Sequence, residues 1–373
     1  MTVNVDVVHT VPVGLSRRTD VETLDDPPGN QGDPARRRRP PSRPTMKDIA
    51  DRVGVSIKSV SRVLNGEGGV SPATAQRILD IASEVGFRRN DLARDLRRGH
   101  RTGTIGLALR RSSTRFYDDL IRGVEEIAEE RGALVLTAGS RSAERERETL
   151  LALSSRRVDG LLVEPNGPDH SFLSAEQAMG TPVVFVDRPP SRLTADTILS
   201  DDFAGGRAAT AHLVAHGHRR IGVIGALPDL HTVRERLRGH EAALAEAGIA
   251  PDERLVRLNR ETADQAHAAA AELLAAVDPP TALFTLNNVC TIGAARALRE
   301  AGRESRVALI GFDDFDLADL LTPPVTVVAH DVTEMGRQAA RLLFARIDGY
   351  AEPPQRIVLP VELIARGSGE IEP

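Results

Sequence analysis

Tryptophan is absent from this 373-residue chain, tyrosine occurs twice and cysteine once. The single cysteine, Cys290, excludes an internal disulfide and leaves no thiol cluster to hold a metal. No apolar run approaches the roughly 20 residues of a membrane-spanning helix. The first residues lack the basic region and apolar block of a secretory leader. Catalytic signatures are missing too: there is no Gly-x-Ser-x-Gly elbow, no Walker loop and no zinc-ligand spacing. These absences point away from an enzyme, a secreted protein and a membrane protein. A soluble cytoplasmic chain without metal or cofactor is expected. Lysine is confined to Lys47 and Lys58 amid abundant arginine. Like the missing tryptophan, this reads as genomic base composition and carries no functional signal.

What is present supports real cores. Hydrophobic residues make up 41% of the chain, and its length suits two or three domains. The net charge of −5 argues against a nucleic-acid partner only if the chain is taken whole. Residues 45–101 carry 11 basic against 7 acidic side chains, a net of +4. Residues 1–44 carry +1, which leaves −10 for the remainder. A basic segment on an acidic body focuses phosphate attraction at one end.

Residues 1–44 are rich in proline and arginine, with the run Arg36 to Arg39, and are expected to be disordered. From Thr45 a helical pattern begins. Thr45 and Asp48 form a capping pair. Ile49, Ala50 and Val53 make one apolar stripe, and Gly54 supplies a turn. Ser56 is a good N-cap for a second helix, whose buried edge is Val60, Val63 and Leu64. Ile57, Lys58, Ser61 and Arg62 share the opposite face. Ser71-Pro72 opens a third helix, with Ile78, Leu79, Ala82 and Val85 expected in its core and Gly86 at its end. A wet, partly basic second helix after a tight turn can read base edges in a major groove. An ordinary helical hairpin with a solvated face shares this spacing.

The run from Val55 to Gly66, followed by Val70-Ser71, resembles the DNA-binding domain of the lactose-repressor/galactose-repressor (LacI/GalR) family. Ser59 stands where the family usually has threonine and keeps the hydroxyl. The resemblance implies that Ile57, Lys58 and Arg62 face bases, and that Thr45, Ser56, Ser59 and Asn65 touch the phosphate backbone. It also implies a role for residues 90–102, where Leu92 and Leu96 lie one turn apart. In the family this is a hinge helix that forms on DNA and inserts a leucine into the minor groove. Leu96 is the matching residue, with Arg97 beside it. Residues 45–89 are thus expected to form the helix-turn-helix domain, and 90–102 the hinge and linker.

From residue 103 the pattern becomes alternating strands and helices. Strands are expected at 105–109, 134–137, 160–163, 183–187, 221–224, 282–285 and 307–311. Helices are expected at 117–130, 145–156, 206–216, 236–247, 262–276, 292–301 and 334–346. Short apolar strands between amphipathic helices imply parallel sheets covered on both faces. About 270 residues are too many for one core, so two lobes are expected, with the last helix returning to the first. The fold class is therefore an all-α helix-turn-helix head plus an α/β body.

The family resemblance continues through residues 182–188, 216–221, 236–239, 311–314 and 359–368, so it spans about 45–368. It implies a two-lobed effector domain similar to periplasmic sugar-binding proteins, with a ligand in the cleft at the strands' carboxyl ends. Asp187, Arg188, Arg236, Asn287 and Asp313 each follow a strand or open the next element. The family pattern assigns them to effector contacts, and Ser200 and Asp201 to a crossover near the cleft. Asn288 stands where the family often has aspartate. Phe116 and Tyr117 suit either stacking on a sugar ring or packing in the lobe core. His216 and His218 read as structural.

The expected protein is a sequence-specific transcription regulator, most simply a repressor, controlled by a small molecule such as a sugar. Its partners would be a near-palindromic double-stranded operator, the effector and a second copy, with a tetramer as the larger alternative. It would be cytoplasmic and nucleoid-associated. Two other readings stay open: a global regulator whose co-effector is a phosphorylated carrier protein, and a stand-alone sugar-binding protein.

Overall fold

A computed structural model of the chain describes residues 44–87, 101–110, 115–140 and 142–373. The expected tail at 1–44, apart from Pro44, and the expected hinge, with Leu92, Leu96 and Arg97, lie outside the described residues. The chain divides into two compact units, residues 1–90 and 91–373.

The first unit holds α1 (Met46–Val53), α2 (Ile57–Leu64) and α3 (Pro72–Glu84). Each start follows from its cap. Thr45 and Asp48 close a reciprocal capping box, and the Ser56 and Ser71 hydroxyls accept from the third backbone N–H of their helices. Gly54 ends α1 at φ 78°, a left-handed conformation that glycine adopts without a Cβ penalty. Ile49, Ala50, Val53, Val60, Ile78 and Ala82 form the core. Leu79 does not join it: it is 45% exposed, because the buried face of α3 runs through Ile78 and Ala82.

The second unit opens with β1 (Thr104–Arg110), α4 (Arg115–Glu130), β2 (Leu134–Ser140), α5 (Ala143–Ser155) and β3 (Leu161–Val163). α6 (Ser174–Ala178), β4 (Val183–Val186), β5 (Asp196–Ser200), α7 (Asp202–Ala215), β6 (Ile221–Ile224) and α8 (His231–Glu246) follow. Then come β7 (Val256–Arg257), α9 (Ala263–Leu274), β8 (Ala282–Thr285), α10 (Asn288–Glu300) and β9 (Ala308–Phe312). The chain closes with β10 (Thr326–Ala329), α11 (Val332–Ile347), β11 (Arg356–Leu359) and β12 (Glu362–Ile364).

The strands form two six-stranded sheets, ordered β11-β5-β4-β3-β1-β2 and β12-β10-β9-β8-β6-β7. All pairs are parallel except β10 with β12. The two orders match strand for strand, β1 to β6, β4 to β9, β11 to β12, so each lobe repeats one plan. Each sheet carries a core cluster on either face. The central strands are accordingly apolar without alternation, as Val183–Val186 and Ala282–Thr285 are, buried at every position. The chain passes between lobes after β5, after β10 and after β11. After the second passage α11 packs against α4 in the first lobe.

One close approach fixes the site. Helices α7 and α8 cross at Gly206 and Gly239, where added Cβ atoms would lie 2.1 Å from the Arg236 carbonyl oxygen and 2.2 Å from that of Phe203. Only glycine lets these backbones touch. Gly206→Ala should force the helices apart and cost about 1–3 kcal/mol of stability. Urea denaturation of the full chain measures this, and an unchanged midpoint would show that the crossing relaxes freely.

Candidate functional site

Two surfaces carry the residues singled out by the sequence. On the first unit, the exposed face of α2 presents Ile57, which is 50% exposed although apolar, beside Lys58. Arg62 is half-buried one turn further on. Thr45 is committed to its capping box. The Ser56 and Ser59 hydroxyls lie 2.9 Å apart at the start of α2. Asn65 closes α2, with its amide donating to Ser61 Oγ at 3.4 Å and to Glu67 Oε1 at 3.2 Å. Ser56 and Ser59 stand at the start of α2, Ile57, Lys58 and Arg62 along it and Asn65 at its end, while the Thr45 and Ser56 hydroxyls serve as caps.

On the second unit, a cleft of about 230 Å³ lies between the lobes. It sits where the carboxyl ends of both sheets meet, the expected place for a ligand in open parallel sheets. In the second lobe its floor is built around Arg236, which is 4% exposed. Arg236 Nε donates to Asp202 Oδ1 at 2.7 Å, and Nη1 donates to the Leu286 carbonyl at 2.7 Å. Nη1 and Nη2 reach the two Asp313 oxygens at 3.2 and 3.4 Å. The guanidinium also lies 3.6 Å from the Phe312 ring centroid, a cation–π contact. Burial pushes the Asp202 carboxyl up to about 7 against the pull of Arg236, and Asp202 Oδ2 has no hydrogen-bond partner among the described residues.

The first lobe repeats the device. Arg188, also buried, donates from Nε to Asp187 Oδ2 at 3.1 Å, from Nη1 to the Pro165 carbonyl at 2.8 Å, and from Nη2 to Glu164. Glu164 accepts in addition from the Arg110 backbone N–H at 2.8 Å. Burial raises the Tyr117 phenol, whose hydroxyl lies 3.3 Å from Glu164, well above its ordinary range. Asp187 and Asp313 occupy equivalent places after β4 and β9. Both adopt left-handed backbone, φ 67° and 66°, and each donates its N–H to the neighbouring strand. Non-glycine residues held this way mark sites where geometry outweighs local strain.

The structure therefore brings Asp187, Arg188, Arg236, Asn287 and Asp313 to one cleft. Asn287 lines it while its Oδ1 caps α10 by accepting from Cys290 N–H, and Asn288 lines it as well. Phe116 and Tyr117 pack on the first lobe's core and also line the cleft. Ser200 is different. It ends β5, is buried, and is not among the cleft-lining residues. The crossover turns its neighbour Asp201 into the cap of α7, accepting from Ala204 N–H at 3.0 Å. His218 bonds Thr281 and the Ile371 carbonyl, a structural role.

Sequence reasoning missed Glu164, Arg110, Glu261 and His330. Arg110 and Glu261, from opposite lobes, form an ion pair across the cleft. His330 lies in the crossover after β10, its ring Nδ1 3.8 Å from Asp313 Oδ1. Burial depresses its pKa, so the imidazole is neutral. The available signal was position: Glu164 follows an apolar strand and precedes a proline, as a site residue at a strand end does.

Asp202 gives the site a pH signature. Its carboxyl titrates at about 7 when folded and near 4 when unfolded. Between these values the folded chain holds a proton that the unfolded chain has lost. Its contribution to stability therefore falls as pH rises from about 4 to about 7, and stays lost above. Asp202→Asn removes that component. Relative to the parent, the variant should gain stability between pH 5 and about pH 7 in urea titrations and level off above. A stability difference independent of pH would contradict this electrostatic picture.

Comparison with known proteins agrees with this architecture. Residues 45–90 match the model for bacterial regulatory proteins of the lacI family, and residues 210–369 match that for a periplasmic binding protein-like domain. The chain is 35% identical over 337 residues to the HTH-type transcriptional regulator CelR of Thermobifida fusca, covering 88% of this chain and 98% of that one. It is 34% identical over 331 residues to the ribose operon repressor of Escherichia coli K12, covering 87% and 99%. Among solved structures, a CelR–cellobiose complex matches with a TM-score of 0.66 at 34% identity, covering 87% and 100%. The lac repressor dimer bound to operator and the anti-inducer ONPF matches with a TM-score of 0.76 at 25% identity, covering 88% and 99%. Head, two-lobed body and cleft all fall within these matches, and the chain belongs to the LacI family of bacterial regulatory proteins.

Proposed function

We propose that this protein is a transcriptional repressor whose operator affinity is set by a sugar, or a sugar derivative, bound between the lobes. The observation that carries the reading is the union, in one chain, of a capped helix-turn-helix and a cleft floored by buried arginine–carboxylate clusters. Carboxylates, guanidinium groups and an amide at the mouth of two sheets suit vicinal hydroxyls, and Phe116 and Tyr117 suit the apolar face of a pyranose or furanose. Sugar ligands in relatives support it: CelR has been solved with cellobiose, and another relative represses a ribose operon.

On DNA, Ile57, Lys58 and Arg62 would meet base edges, while Thr45, Ser56, Ser59 and Asn65 would meet phosphates. Leu96, with Arg97, would enter the minor groove. One such head spans too few base pairs for genomic selectivity, so a homodimer on a near-palindrome follows. Exposed apolar side chains on the body suit the dimer contact: Leu134 on edge strand β2, and Leu317 and Leu320 after β9, are 73%, 64% and 73% exposed.

Selection of bound sequences from a random DNA pool should return a near-palindrome. A collection without half-site symmetry would reject the dimeric reading. On the selected site, Arg62→Ala should weaken binding by about 1–3 kcal/mol and relax preference at one position per half-site. Uniform weakening for all sequences would make Arg62 a phosphate contact. A thermal-shift screen of neutral sugars tests the cleft, since a ligand that binds the folded state raises its stability. The sugar that raises Tm should lose its effect on Arg236→Ala, and an undiminished shift would place its site elsewhere.

A further inference from the structure

Among the described residues, no guanidinium group at the cleft has an uncompensated charge. Arg110 pairs with Glu261 across the lobes. Arg236 pairs with Asp202 and Asp313. Arg188 pairs with Asp187 and Glu164. Among the described residues, these three cations are thus paired with five carboxylates. An anionic ligand gains attraction from a guanidinium group only if the carboxylate partners are weaker or absent.

Glu164 holds the key position in this balance. Its side chain is 1% exposed, beneath the Arg188 side chain at 9%. Both its oxygens are in use, one by the Arg110 backbone N–H and the other by Arg188 and Tyr117. Every nitrogen of Arg188 is engaged as well, by Asp187, the Pro165 carbonyl and Glu164. Arg188 lines the cleft beside Arg110 and is one of the two described first-lobe cations that an incoming phosphate or carboxylate would meet. Above about pH 7, with Glu164 ionised behind it, Arg188 is already neutralised twice.

We propose that Glu164 is the specificity-determining residue of the cleft, and that it excludes phosphorylated and acidic sugars by neutralising Arg188, leaving the site to neutral polyhydroxylated ligands. This rests on reading the cleft as the effector site. It adds a selection rule that acts through charge, whichever neutral sugar fits. Glu164→Gln keeps the shape and one of the two acceptor oxygens while removing the negative charge, and its amide N–H meets a donor at the other position. Arg188 would then keep a single carboxylate partner and attract an anion.

The test is calorimetric binding to the full chain and to Glu164→Gln, using ribose, glucose and cellobiose against ribose 5-phosphate and gluconate. At pH 8, where Glu164 is ionised, the parent protein should take none of the anions at millimolar concentration. The variant, folded by circular dichroism, should gain at least about tenfold in anion affinity relative to the neutral counterparts. A second measurement leaves Glu164 in place. Burial holds the Glu164 carboxyl up to about 7, whereas gluconate keeps its charge from pH 8 to pH 5.5. Lowering the pH over that range protonates Glu164, and Asp202 as well, so gluconate affinity should rise by about tenfold both in the parent and in Asp202→Asn, where Glu164 alone of the two titrates. Parent protein that binds ribose 5-phosphate as tightly as ribose would overturn the proposal. So would a folded Glu164→Gln that gains no anion affinity or, where that variant does not fold, a gluconate affinity of Asp202→Asn that stays flat with pH. If no neutral sugar binds either protein but the variant acquires gluconate affinity, the role of Glu164 stands and the sugar reading of the cleft falls.

Discussion

The body of this protein is organised around the Arg236 guanidinium. One planar cation, carried on α8, reaches Asp202 at the start of α7, the Leu286 carbonyl after β8, and Asp313 after β9, while stacking over Phe312. Four elements of the second lobe are thereby held in register at the cleft. The reach depends on backbone contact between α7 and α8 at Gly206 and Gly239, which brings the Asp202 carboxylate to 2.7 Å from Nε. Removing one partner from such a buried cluster leaves an uncompensated charge, so the cluster is sensitive to any single loss. Its pre-organisation has a functional use. A ligand that meets Asp313 finds an acceptor already fixed in direction, and little ordering cost remains.

The first lobe carries the same design with different partners. Arg188 holds Asp187 as Arg236 holds Asp313, and both aspartates stand in left-handed backbone at matching strand ends. Because the two sheets share one strand order, the cleft is lined by two related half-sites facing each other. A ligand bridging them favours one lobe arrangement over another only through differences in these contacts. The Arg110–Glu261 pair, spanning the cleft, depends directly on that arrangement. His330, its side chain buried beside Asp313 in a crossover, adds a polar group whose neutral form burial favours.

Much of this was legible in the sequence, for definable reasons. Capping residues at Thr45, Ser56 and Ser71 located three short helices because side-chain–backbone hydrogen bonds are local. Strands β1, β3, β4, β6, β8 and β9 were visible as apolar runs because burial on both faces removes polar alternation. Edge strand β2 was visible in part, whereas the two-residue β7 and the short edge strands β11 and β12 were not, and neither were β5 and β10, which are interior and buried but carry polar residues such as Asp196, Ser200 and Thr326. Helices α7, α8 and α10 begin four or five residues earlier than periodicity suggested, since their first turns carry polar residues such as Asp202, Thr232 and Asn288 that face the site or its supports. Arg236 and Asp313 stood out by pattern, whereas Glu164 did not. A buried carboxylate is intelligible only once its partner Arg188, 24 residues later, is seen beside it.

Cleft and operator communicate, in this account, through one shared equilibrium of the body, and linkage then fixes a symmetric consequence. The direct measurement is fluorescence anisotropy with a selected operator fragment, paired with calorimetry of the active neutral sugar on free and operator-bound protein. If the sugar lowers operator affinity by a given factor, the operator must lower sugar affinity by the same factor, and the account predicts equal factors well above one. A sugar that binds free and operator-bound protein with the same Kd would contradict it, because the cleft would then have no hold on the DNA-binding end.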